Sequence, residues 1–395
     1  MTGQARRLLA LDGLRGLAAM AIVVHHAWMF DHGDGHVATL SLLDRGLDEL
    51  RLGVTLFFVL SGYLVFGPFA AAALDGRDRP SMRRYALKRA ARILPAYWLV
   101  LAGAFALTAA TNHPMRVSTG DLPLFLVFAQ NQAAATHGHV DPPMWSLCVE
   151  VTFYALLPLV ALVVARLGRD RRRQLALIAG LFAAGVLACL IAAAAGWPPT
   201  VTDSLMTTVP LFAAGMAVAV LAHGRTISNR AAAALIGGGI VLVLAGATVE
   251  SVAALQGGPL RTAVSDTPAA VGFALIVGAL VAAPLRARPL TAGPLLFAGA
   301  ISYGLYLWHF PVIYGLRAAG AWPGELVPAM ALTLAFAVLL ATCSWLAIER
   351  PVLRWAHARA RRVQPARKRA TSDGVTSSTR STTASASASA SPAGG

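Results

Sequence analysis

The sequence predicts an all-α polytopic membrane protein of about ten transmembrane helices, with both termini in the cytoplasm. Three observations carry this. The 395 residues are 57% hydrophobic and only 13% charged, with a mean hydropathy of +0.63, whereas soluble domains are about 25% charged. Apolar stretches of the roughly 20 residues needed to cross hydrocarbon recur along the chain. The basic residues concentrate in alternate connections: 75–92 carries +5, 166–173 carries +4 and the chain from 349 onward carries +7, against a net charge of +15 for the whole. Excess Lys and Arg in short connections marks the cytoplasmic face. The positive charge is therefore topological, and the partner it points to is the lipid bilayer rather than nucleic acid.

The first span, 9–30, follows Arg6 and Arg7. It lacks a small-residue cleavage site ahead of a polar mature region, so it reads as a retained helix and not a signal peptide. The second span, 52–73, follows an acidic connection holding Asp31, Asp34, Asp44, Asp48 and Glu49. The third, 93–111, has Pro95 in its first turn, where a missing N–H costs little. The connection 112–144 contains the apolar run 122–128, too short to span and expected as a re-entrant or interfacial piece. The remaining spans cover 145–165, 174–196, 205–222, 231–248, 268–284, 295–316 and 327–348. Glu349-Arg350-Pro351 is expected to stop the last helix with a local ion pair. Residues 1–356 then form the transmembrane domain, and 357–395 form a basic, then Ser/Thr/Ala-rich cytoplasmic tail expected to be disordered. Cys148, Cys189 and Cys343 lie far apart in apolar segments, a spacing that fits neither a disulfide framework nor a metal site.

Ionisable residues inside spans are costly and are read as functional by default. Arg15 and His26 are eleven residues apart in the first span, about three turns, so they share one face roughly 16 Å apart. His25 is turned about 100° away and should be the more dispensable of the pair. His26 and Asp31, five residues apart, fall on different faces, which argues against an H-x4-D acyltransferase site. Arg84, Lys88, Arg89 and Arg92 form one cationic strip at the cytoplasmic lip, suited to the phosphates of a nucleotide-type donor. Glu150 lies about one and a half turns into the fourth span, at a depth comparable to His26, and the two are expected to pair. Trp145 and Ser146 open that span. Tyr303 and His309 lie in the aromatic run of the ninth span, where a substrate surface and plain helix packing are both open. Ser61-Gly62 is expected to serve close helix packing, and Ser61 is not in a G-x-S-x-G elbow.

Six motifs occur in order from Leu11 to Pro351: Arg15-x10-His26, Leu60-Ser-Gly-Tyr, Lys88-Arg89-x-x-Arg92-Ile-x-Pro95, Trp145-Ser-Leu-x-x-Glu150, Tyr303-x-x-Tyr-x-x-His309-x-Pro and Glu349-Arg-Pro. Together they resemble the acyltransferase-3 family of integral membrane acyltransferases, in the form without an esterase-like domain after the last helix. The resemblance implies an O-acyltransferase in a bacterial cell (inner) membrane. It would move an acyl group, often acetyl, from coenzyme A to a hydroxyl of an envelope glycan or a small molecule such as a macrolide. Acyl-CoA is then a co-substrate, with no permanently bound cofactor. His26 and Glu150 would be catalytic, and Arg15, Arg84, Lys88, Arg89, Arg92, Trp145, Ser146, Tyr303 and His309 would bind donor or substrate. The rival class is a secondary transporter or flippase using the same His, Arg and Glu as a proton relay. It would want internal pseudo-symmetry, and the sequence shows none.

Overall fold

In the computed structural model, residues 3–32, 41–111, 116–253, 258–283 and 289–362 are described. The helices run in the order α1 (Gly3–His32), α2 (Leu42–Asp48), α3 (Gly53–Leu74), α4 (Met82–Ala110), α5 (Leu122–Leu126), α6 (Trp145–Leu167), α7 (Arg171–Ala194), α8 (Pro199–Thr202), α9 (Leu205–Leu221), α10 (Asn229–Ala253), α11 (Gly258–Arg261), α12 (Thr267–Ala282), α13 (Gly293–Ala318), α14 (Leu326–Ser344) and α15 (Arg350–Arg362). Among the described residues there are no strands, and ten helices are long and apolar enough to cross a membrane. Each covers one expected span. The protein is an all-α, multi-pass membrane protein.

Helix ends follow the chain's own caps. Ser81 accepts from the Arg84 backbone N–H at 3.4 Å and opens α4. That start lies eleven residues before the expected 93, so the cationic strip is the first three turns of a continuous helix. Asp170 caps α7 through Arg173 N–H at 3.1 Å, after Gly168 turns the chain at φ 59°. Prolines 68, 95, 158, 210 and 311 sit inside helices, which membrane helices tolerate; the Tyr154 carbonyl freed by Pro158 accepts from Tyr85 Oη at 2.9 Å.

The interior is built by α1, α3, α9 and α13. α1 packs along α13 and α3 packs along α9. Within the apolar window of α13, 72% is buried, against 17% for α10, so α10 lies on the rim. α3 and α9 approach to backbone contact: a methyl on Gly62 would run into the Phe212 carbonyl and one on Gly215 into that of Val59. Gly62 therefore has the packing role expected of it, while Ser61 beside it points elsewhere.

Two π-turns matter for the site. Trp345–Glu349 joins α14 to α15 and buries the Glu349 carboxylate. Thr262–Asp266 joins α11 to α12 and buries Asp266. Single π-turns inside helices recur at functional sites. Glu349-Arg-Pro is not the expected helix stop, because the extra residue of the π-turn lets the helix run on through Pro351. The helix reaches Arg362, six residues past the expected domain limit of 356, and the rest of the expected tail, 363–395, lies outside the described residues. The apolar run 122–128 of the third connection, expected as a re-entrant or interfacial piece, contains the short helix α5. Its Phe125 is fully buried against Phe105, and its carbonyl accepts from Tyr97 Oη at 2.7 Å.

Candidate active site

Two cavities meet inside the helical bundle. The first opens at the basic end, where α4 and α15 meet, and has a volume of about 400 Å³. Arg15 of α1, Lys88, Arg89 and Arg92 of α4, and Glu150 of α6 line it, giving four cations to one carboxylate. Two of these cations, Arg89 and Arg92, rest against aromatic rings. Arg89 lies over the Tyr154 ring at 5.5 Å. Arg92 lies between the Tyr303 and Trp345 rings, 5.8 Å from each, with Glu349 Oε2 3.9 Å away. Tyr303 is fixed by donating to the Ile93 carbonyl at 3.0 Å. Arg84, expected in the same strip, does not line the cavity.

The Glu150 carboxylate accepts from Ser61 Oγ at 2.5 Å and from Tyr154 Oη. The expected pairing of Glu150 with His26 is therefore wrong. Depth along a span does not fix its neighbour: α6 packs on α3, which brings Glu150 to Ser61, and Glu150 lines the basic-end cavity while His26 lines the other.

The second cavity, of about 580 Å³, occupies the opposite end. His26 lines it, together with Trp145, Phe310 and a set of ionisable groups from several connections. His26 Nδ1 is 2.9 Å from His309 Nε2, the rings stacked at 4.9 Å. His309 is fully buried on α13 and lines neither cavity. Of the two readings open for His309, a substrate surface does not hold. Its contact is with the other histidine. His25, expected to turn away, also faces the far cavity, with Nδ1 3.3 Å from the Leu47 carbonyl and 3.7 Å from Asp48.

Val54, Phe58 and Tyr306 line both cavities and form the partition between them. Tyr306 is held by its hydroxyl, which donates to the Pro143 carbonyl at 2.7 Å and lies 2.7 Å from Ser146 Oγ. Ser146 is on the basic-end side and Trp145 on the far side, so the start of α6 contributes to both chambers. Two cavities that share a wall, one cationic and the other lined by His26, suit transfer between two different substrates.

The model of the acyltransferase-3 family, described as an acyltransferase domain, matches residues 8–348. The chain belongs to this family. This membrane acyltransferase is similar to the exopolysaccharide production protein ExoZ of Rhizobium meliloti, 27% identical over 79% of the chain and 91% of the relative. It is also similar to the peptidoglycan O-acetyltransferase OatA of Listeria monocytogenes, 23% identical over 77% of the chain and 49% of that longer protein. The acyltransferase MdmB of Streptomyces mycarofaciens is 31% identical over a shorter stretch, 39% of each chain. No solved structure matches. The chain is thus an O-acyltransferase, which answers the transporter reading.

Sequence reasoning missed most of the far chamber of this acyltransferase. Arg51 is bonded to Asp266 at 2.5 Å and to Glu49 at 3.2 Å, and His137 to Asp203 at 2.9 Å. The available signal was charge packed tightly against span ends, in 48–51 and 261–266, where a connection has little room to stay in water. Tyr306 and Ser61 stood inside quoted motifs, but nothing in their spacing marked their contacts.

Proposed function

We propose that the acyltransferase takes acyl-CoA, with acetyl-CoA the first candidate, into the basic-end cavity and passes the acyl group to a hydroxyl in the far chamber, with His26 as general base. The observation that carries this is the charge division between the two cavities that meet at Tyr306. Arg89, Arg92, Lys88 and Arg15 supply the guanidinium and ammonium donors that diphosphate and phosphate groups bind. The same basic end carries the positive connections, so it is assigned to the cytoplasm, where acyl-CoA is found, and the membrane to a bacterial inner membrane.

The chemistry follows from the histidine pair. With His26 Nδ1 donating to His309 Nε2, the His26 Nε2 lone pair is left free. It accepts the acceptor's hydroxyl proton as that oxygen attacks the thioester carbonyl. The carbon–sulfur bond breaks, the proton returns to the sulfur, and the products are an ester and free coenzyme A thiol. His309 is a positioning residue that fixes the tautomer, the role Glu150 was expected to have. Glu150 instead orders Ser61 and Tyr154, and through the Tyr154 ring the position of Arg89. The acceptor is a glycan or small-molecule hydroxyl compound, a reading supported by relatives whose names carry exopolysaccharide and peptidoglycan. Release of coenzyme A thiol by purified protein given acetyl-CoA, with and without a glycan acceptor, tests the proposal.

A further inference from the structure

The wall of the far chamber defines more than a place for a hydroxyl group. Its ionisable lining includes three carboxylates, Asp48, Asp203 and Asp266, and two guanidiniums, Arg51 and Arg261. Both guanidiniums are engaged. Arg51 is bound by Asp266 at 2.5 Å, by Glu49 at 3.2 Å and by Ser265 Oγ at 3.1 Å, with only 11% of its side chain exposed. Arg261 lines the same wall, within electrostatic reach of Arg51 as well as of Asp266, Asp48 and Asp203. An entering anion would have to displace the carboxylates from Arg51 inside a half-buried site, where like charges are poorly screened.

The carboxylates, in contrast, keep capacity. A carboxylate has about four lone-pair sites. Asp203, 32% exposed, is bonded to His137, and Asp48, 21% exposed, lies 3.7 Å from His25; both also attract Arg261 and still present oxygen to the chamber. Independently of these charges, Trp145 and Phe310 offer aromatic surface in the same chamber, which favours the apolar face of a ring and attracts an ammonium group. The volume of about 580 Å³ falls within the range of ligand pockets.

We infer that the far chamber selects an uncharged or amine-bearing polyhydroxyl acceptor, of the sugar or amino-sugar class, and rejects acceptors that carry a carboxylate. This rests on the proposed function only in calling the occupant an acceptor. The charge selectivity belongs to the cavity itself.

The test is made on the full chain in detergent, with Cys343→Ser as background. Met29→Cys places a thiol in the far chamber and Leu64→Cys places one in the basic-end cavity. Each is titrated with two methanethiosulfonate reagents, one bearing trimethylammonium and one bearing sulfonate, and rates are referred to a free thiol. Met29→Cys should react faster with the cation by about tenfold or more, and Leu64→Cys should show the reverse preference. Adding Asp203→Asn or Asp48→Asn should lower the Met29→Cys ratio. An equal or anion-favouring ratio at Met29→Cys overturns the inference, as does the absence of reaction with either reagent there. Thiol release is then compared for methyl glucoside, its 2-amino derivative and the matching uronic acid. Release with the uronic acid equal to the neutral sugar also overturns the inference. A cation preference at Met29→Cys with no release from acetyl-CoA under any acceptor leaves the selectivity standing and refutes the proposed transfer.

Discussion

Replacing His309 separates a positioning role from mere packing. His309 lines neither cavity, so His309→Ala keeps every residue of both substrate walls, yet it removes the histidine partner of His26 Nδ1, 2.9 Å away. Losing one partner of a buried hydrogen bond costs about 1–3 kcal/mol. If that cost falls on the reactive tautomer, kcat drops by about 5- to 150-fold, at roughly 1.36 kcal/mol per decade. KM for the donor stays unchanged because the donor cavity is untouched. The assay is thiol release from acetyl-CoA, normalised to folded protein by detergent thermostability, since the Tyr306 and Phe310 rings pack at 5.7 and 5.4 Å from His309 and a cavity there also loosens the fold. His309→Gln carries a carbonyl that can accept from Nδ1–H and should restore a large part of the rate. The reasoning is refuted if His309→Ala lowers only thermostability, or if glutamine is no better than alanine.

Arg89→Ala should raise the donor KM by about tenfold or more, as expected for a charge-assisted hydrogen bond worth about 1.5–3 kcal/mol; a lost fold with unchanged KM would make the strip structural. Arg92→Ala should be the more disruptive of the two for stability, because it leaves Glu349 buried beside an empty site, and melting in detergent checks the order. Asp141, just outside the membrane segment, is buried with no partner for either carboxyl oxygen, and burial holds its carboxyl well above the usual carboxylate range. A raised folded value means that its contribution is present at acid pH and lost as pH rises through that value. Asp141→Asn should therefore raise the melting temperature at pH 8 relative to the native chain and show no such gain near pH 4. For topology, thiol labelling of intact cells in a Cys343→Ser background should reach Thr119→Cys from outside and Asp78→Cys only after permeabilisation; the opposite pattern would reverse the donor side.

The spans were legible because length and hydropathy alone decide whether a segment can cross lipid, and all ten were found. The start of α4 was not, since a run of arginines and a lysine reads as a polar connection until the Ser81 cap is seen to begin a helix. Likewise, Glu349-Arg-Pro reads as a stop unless a π-turn absorbs the proline. Within the site, Arg15 and His26 were correctly set at opposite ends of one helix, and Arg89 and Arg92 at the lip. The partners were illegible: which helix lies beside α1 or α6 depends on packing, so the face carrying His26 was known while His309 opposite it was not. The far ion pairs join residues more than two hundred positions apart in the case of Arg51 and Asp266, beyond any local pattern.

In the proposed mechanism His26, in the lining of the far chamber, removes the acceptor's proton. Purified protein and its His26→Ala variant are compared for acceptor-dependent thiol release from acetyl-CoA, with donor binding measured separately by equilibrium titration. The account predicts that His26→Ala binds the donor as the native protein does and releases thiol about 10²–10⁴-fold more slowly. Native-like release by the variant would contradict it and place the base elsewhere.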